Sequence, residues 1–160
     1  MQTYKPLAVV CFLLAACAAP TTTLRFHEQV NDAMPATRLR MVDVPRTGQQ
    51  VAVDPFAQIT ERDVYEAHLE PTPGGQAVRI KFDLHGANKL SELTTRMRGR
   101  YIVVFVDDQP VAAVLVKKRI TNGEFLLETG MTEAETQALV GKLRRITGKN
   151  RDFGDTPLAP

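Results

Sequence analysis

The chain has 160 residues, with 20 Lys+Arg against 18 Asp+Glu and a formal net charge of +2. That length holds one domain and some tails, and so small a net charge implies no strong electrostatic partner and argues against nucleic acid. The two cysteines, Cys11 and Cys17, both lie near the start, so the remainder has neither a disulfide nor a thiol catalyst and must rely on its core.

Residues 1–16 carry a single lysine, Lys5, and then the apolar run "LAVVCFLLAA". The run is shorter than the roughly 20 residues that a membrane-spanning helix needs, and its layout is that of an export signal. Its end, Leu14-Ala15-Ala16-Cys17, matches the bacterial lipobox, in which cleavage precedes a cysteine that has received a diacylglycerol. Cys17 then becomes the lipidated first residue, anchored at about 0.8 kcal/mol per buried CH₂, and loss of Lys5 leaves 19 basic against 18 acidic residues. No aspartate follows Cys17, which by the lipoprotein sorting rule points to the outer membrane, facing the periplasm. An ordinary secretory signal with an incidental cysteine is the other reading of these residues.

Residues 17–23 are small and polar, as a tether is. Over 24–58, "LRFHEQV", "TRLRMVDV" and "QQVAVDP" read as short strands, with "NDAMP" as a turn. Thr60 caps a helix of one or two turns in "TERDVYEA", with Glu61 and Asp63 at its positive end. The chain then extends to the turn "TPGG", and in "QAVRIKFD" Val78, Ile80 and Phe82 alternate with Arg79 and Lys81, the period of a half-buried strand. Asp83 caps a helix whose apolar face is Leu84, Ala87, Leu90, Leu93 and Met97, ending near Gly99.

"YIVVFVD" is apolar without alternation, which predicts a strand buried on both sides. With "VAAVLVKK" and "EFLLETG" it forms an expected antiparallel meander. Thr132 and Glu135 make a capping box for a helix with Ala138, Leu139, Leu143 and Ile146 on its apolar face, and Lys142, Arg144 and Arg145 are expected in its last turn. From about Thr147 to Pro160 the chain is polar, rich in Gly and Pro, and expected to be disordered. The fold class is therefore α+β, an antiparallel or mixed sheet with two main helices on one face.

Residues 99–145, "GRYIVVFVDDQPVAAVLVKKRITNGEFLLETGMTEAETQALVGKLRR", resemble the head of the first periplasmic domain of SecD, the accessory subunit of the Sec translocase. In that family a helix ends in glycine, an apolar strand runs into "DG", an "I-T-G-G" type loop follows, and a last strand leads to a capped helix. Upstream, "ITERDVYEA" is similar to the family's "LTG-D-L-A" start, and "AVRIKFDLHGANKLSEL" to its strand and "EGA-KF-ELT" helix. The resemblance spans residues 59–146. It departs from the family at "DDQP", at Ala112-Ala113-Val114 and at Asn122-Gly123, and it includes none of the multispanning part that couples translocation to the proton gradient. It implies a detached head that contacts unfolded polypeptide, and it assigns no contact residue.

Chemistry is thin elsewhere. Ser91, the one serine, sits among leucines without a Gly-x-Ser-x-Gly context. His27, His68 and His85 are far apart, each without a second ligand type two to four positions on other than Glu70 after His68, short of the three or four ligands that zinc takes. Asp107-Asp108 reads as a turn rather than a catalytic pair. "RMRGR" at 96–100 and "KKR" at 117–119 suit either anionic headgroups or solvated element ends.

The sequence thus predicts a non-catalytic, lipid-anchored envelope protein with no metal or cofactor. Its expected partners are the membrane through Cys17 and unfolded or extended polypeptide, a Sec-type translocase or envelope proteins. The alternative is a structural scaffold for a folded partner.

Overall fold

A computed structural model describes residues 22–30, 39–43, 48 and 50–151. Cys17, with the leader and most of the tether, lies outside them, as does the tail beyond Arg151.

The elements in order are β1 (Leu24–Glu28), β2 (Arg40–Asp43), β3 (Gln50–Val53), β4 (Ile59–Thr60), a single 3-10 turn (Glu61–Asp63), β5 (Val64–Thr72), β6 (Gly75–Phe82), α1 (Leu84–Arg96), β7 (Tyr101–Val106), β8 (Gln109–Leu115), β9 (Glu124–Glu128) and α2 (Glu133–Arg151). They form an α+β fold with a four-stranded sheet in the order β4-β1-β7-β8, a three-stranded sheet β5-β6-β9 and the hairpin β2-β3. Every pairing between these strands is antiparallel.

The main core lies where the two larger sheets and both helices meet. Leu24 and Phe26 of β1, Val78, Ile80 and Phe82 of β6, Leu90 and Leu93 of α1, Phe125 and Leu127 of β9, and Leu139 and Leu143 of α2 are buried together. Phe26 sits edge-to-face with both Phe82 and Phe125, at 5.6 and 5.2 Å between ring centroids, a geometry worth about 0.5–1.5 kcal/mol per pair beyond burial.

The absence of alternation in β7 has the expected cause. Ile102, Val104 and Val106 enter the main core, whereas Val103 and Phe105 enter a second one, closed by Val42, Val51 and Val53 of the β2-β3 hairpin. The hairpin is tied to β1 by two main-chain bonds, Asp54 N–H to the Glu28 carbonyl and Val30 N–H to the Ala52 carbonyl, at 2.9 and 2.8 Å.

Several expectations need correction. The helix at Thr60 is capped as expected but is a single 3-10 turn, and "VYEA" lies outside it, because Val64 starts a strand that pairs along the whole of β6; β-branched and aromatic residues favour that outcome. The meander stops after two strands: β9 pairs with β6, not β8, because residues 117–123 cross to α1 and β6 through Ile120 N–H to Thr94 Oγ1 and Phe82 N–H to the Gly123 carbonyl, both 2.9 Å. On the helices, Leu84 and Ala138 face solvent rather than the core.

The capping box at Thr132 and Glu135 forms, with Glu135 Oε2 accepting from Thr132 N–H at 2.8 Å and Thr132 Oγ1 from Glu135 N–H at 3.3 Å. However, α2 runs to Arg151, past the expected start of the tail at Thr147, so its basic residues are mid-helix and bond sideways. Arg144 Nε donates to the Ala67 carbonyl at 2.9 Å, and Lys142 pairs with Asp107 at 3.3 Å. β1, the first of the strands expected over 24–58, lies between β4 and β7.

Candidate functional site

The motifs with the most distinctive sequence turn out to be joints of the fold. Asp63 is buried; its carboxylate accepts from Thr60 N–H at 2.8 Å and from Lys89 Nζ at 2.9 Å, and its carbonyl accepts from Asp83 N–H at 3.0 Å. Gly86 is where α1 rests on that turn. A Cβ there would lie 2.8 Å from the Asp63 carbonyl oxygen and Cβ. On the far side, Gly123 has φ +68 and leaves room for Ala87, whose Cβ would be 2.9 Å from a Cβ at that glycine. Thus "HGANK" and "TNG" hold α1 in place, and Asp63 and Lys89 form an ion pair that no local pattern announces.

The candidate chemical groups are dispersed. His27 is buried and its Nδ1–H donates to the Asp54 carbonyl at 2.7 Å, with its ring edge-to-face on Phe105. Burial holds its pKa below the usual 6.5, partly offset by that bond, and the nearby Arg40 and Arg25 cations act in the same direction as burial. His68 lies across from Arg79 on the β5-β6 sheet, and His85 is exposed on α1. Among the described residues no group of three or more His, Cys, Asp or Glu comes together to hold a metal.

Ser91 accepts from Arg119 Nε at 2.9 Å, a helix-surface hydroxyl. Asp107 and Asp108 form the β7-β8 turn, both at positive φ, the conformation of two-residue hairpins. Asp107 Oδ1 also caps Thr23 N–H at 2.9 Å. On the exposed face of the three-stranded sheet, Arg79 bonds Glu70 on one side and Glu124 on the other. The hydrogen bond from Arg79 holds the Glu70 carboxyl below its usual range, and both glutamates push Arg79 up.

What remains open is main chain. A sheet's outermost strands present unpaired N–H and C=O groups unless covered, charged or very short. β4 has two residues, and β5 carries Glu66, Glu70 and Pro71, with its Ala67 carbonyl taken by Arg144 of α2. That leaves β8 and β9, each paired on one side only among the described residues.

Just past the end of β8, Val116 donates to the Arg100 carbonyl and accepts from Gly99 N–H, both at 2.9 Å. Both its main-chain groups therefore face β7. The alternation of an antiparallel strand then turns those of Leu115 and Ala113 outward. In β9, Gly123 bonds toward β6 and Glu124 N–H turns to Asn122 Oδ1 at 3.2 Å, so Leu126 and Glu128 face outward.

The two edges differ in what guards them. β9 begins and ends with glutamate, Glu124 and Glu128, whereas β8, "QPVAAVL", has no charged residue. Its outward Leu115 is 41% exposed, and the ladder is bulged only nearer its start, between Val104 and Phe105 of β7. Sequence periodicity could not reveal this, because an edge is defined by what is missing beside it. "RMRGR" and "KKR" end beside it, brought together by the Gly99–Val116 and Arg100–Val116 bonds.

The arrangement is a two-sheet α+β fold with an uncharged outer strand. The chain belongs to the SecDF P1 head subdomain family, whose model matches residues 36–146. It is 28% identical over 88 residues to the protein translocase subunit SecD of Thermobaculum terrenum, a match covering 54% of this chain and 17% of that one. Two solved SecDF structures share its fold with a TM-score of 0.61 and 19% identity over 78% of this chain. One is the super-membrane-facing form, of which 19% is covered; the other, 62% covered, is of a SecDF described as a membrane component that enhances protein export. The chain thus spans a minor part of the SecD it matches. The family match begins well before residue 59, in keeping with the place of β2 and β3 over β7.

Proposed function

We propose that this protein is a non-catalytic, periplasm-facing lipoprotein whose head domain binds extended polypeptide during protein export or envelope assembly, by adding a strand to β8. The observation that carries this reading is the outward main chain of Ala113 and Leu115 on a strand without charges. Strand addition takes its affinity from main-chain hydrogen bonds and so tolerates many sequences, as a binder of unfolded chains must. The family's link to the Sec translocase supports an export setting, and the lipobox at Cys17 supports the anchor.

The scaffold alternative needs a contiguous apolar patch. Among the described residues the exposed large apolar side chains are Met41, Phe56, Tyr65, Leu84, Leu115 and Leu126, and of these Leu115 belongs to the uncharged outer strand.

Leu115→Pro tests the reading. Leu115 is half exposed and its N–H points outward, so proline removes the docking donor at the place where an edge strand tolerates it. The variant should keep its far-UV circular dichroism and lose binding of an unfolded secretory polypeptide. Undiminished binding would refute strand addition at β8.

A further inference from the structure

Six of the chain's 20 Lys+Arg residues, Arg96, Arg98, Arg100, Lys117, Lys118 and Arg119, belong to two segments that meet at the end of β8, although 19 positions separate Arg98 from Lys117. The small net charge of the whole chain therefore does not exclude a local concentration of basic residues here. Within this pole Arg96 is taken by Glu28, and Arg119 is held to Ser91. Glu92 is the nearby acid on α1. Arg98, Lys117 and Lys118 are exposed and Arg100 is half-buried.

The pole continues the open edge. Leu115, whose main chain faces outward, is followed after Val116 by Lys117, and Arg100 is bonded to Val116 itself. A chain paired with Ala113 and Leu115 must run past these cations within two or three residues, since strands advance about 3.3 Å per residue. We propose that β8 and the basic pole form one composite site that selects extended segments carrying acidic residues at the end lying beside residues 117–119.

This rests on strand addition at β8 and adds the substrate class. The main chain supplies affinity for any extended segment, and the cations, screened over about 10 Å at 0.1 M salt, supply preference. Exposed ion pairs are individually weak, so the preference is expected to be modest and to vanish with salt.

The test uses the full-length protein in nonionic detergent and two fluorescent peptides of the same alternating Val/Thr sequence, one ending in three glutamates and the other in three glutamines. Anisotropy should show the glutamate peptide binding roughly five- to ten-fold tighter in low salt, a figure set by a few weak exposed pairs. That preference should disappear at 0.5 M NaCl and in Lys117→Glu/Lys118→Glu, while the glutamine peptide binds the double variant as it binds the parent. Leu115→Pro should lose both peptides.

Equal affinity for the two peptides would overturn the selective site and leave strand addition standing. Binding of neither peptide would sink strand addition, and the composite site with it. Glutamate-peptide binding retained by Leu115→Pro would show the pole acting alone. Vesicles of phosphatidylglycerol that bind the parent but not the double variant, without any peptide preference, would assign the pole to a lipid surface. Either of those last outcomes overturns the proposal.

Discussion

Gly86 lies against Asp63 so closely that a Cβ on the glycine would meet the aspartate's carbonyl oxygen at 2.8 Å. Asp63 cannot easily move away, because Thr60, Lys89 and Asp83 all bond to it. Gly86→Ala is therefore expected to lower stability by about 1–2 kcal/mol. Overpacking costs about 1–3 kcal/mol, against a helix-propensity gain of up to about 1 kcal/mol. Urea unfolding measures the difference, and a variant as stable as the parent would show that the contact relaxes freely.

His27 is expected to make stability fall with acidification. Its folded-state pKa lies below the usual 6.5, so the unfolded chain takes up the proton first. Its contribution is complete above about pH 6.5 and is lost as pH falls from there toward the folded value. His27→Asn keeps a donor for the Asp54 carbonyl and does not titrate. Between pH 7.5 and 5.5 the urea midpoint should fall more in the parent than in the variant; parallel curves would contradict the assignment.

Asp108 occupies the second position of the β7-β8 turn with φ 63, a conformation that costs an L-residue roughly 1–2 kcal/mol. Asp108→Gly should stabilise the protein by about 0.5–1 kcal/mol, after allowing for glycine's larger entropy loss on folding. Asp107, at φ 49, is a poorer site for the same change because its carboxylate caps Thr23 and pairs with Lys142. A higher thermal midpoint checks this, and a lower one would mean that the Asp108 side chain contributes more than its backbone costs.

Much of the fold was legible wherever burial imposes a local period. Val78, Ile80 and Phe82 alternate and Leu90, Leu93 and Met97 recur because each set faces one core, and the unbroken run of β7 reflects two cores. Leu84 misleads because the first turn of α1 packs through Gly86, which leaves Leu84 on the solvent side. The partner of β9 and the central place of β1 were illegible, since pairing is decided by the rest of the molecule. The same holds for the site. The basic runs were visible as runs, but their meeting at the end of an open strand depends on main-chain bonds between Gly99, Arg100 and Val116.

The anchor has its own test. Cys17→Ser should release the protein from membranes or leave its leader uncut, as read by fractionation and mass. A variant that loses its leader and still sediments with membranes would exclude lipidation at Cys17 as the anchor.

The most direct measurement is amide chemical-shift mapping on the protein, titrated with an unfolded secretory polypeptide and, separately, with a folded control. Binding at β8 predicts shifts centred on Ala113 to Val116 and their β7 partners, produced by the unfolded chain alone. Shifts on the β2-β3 hairpin or the three-stranded sheet instead, or the same shifts from the folded control, would contradict it.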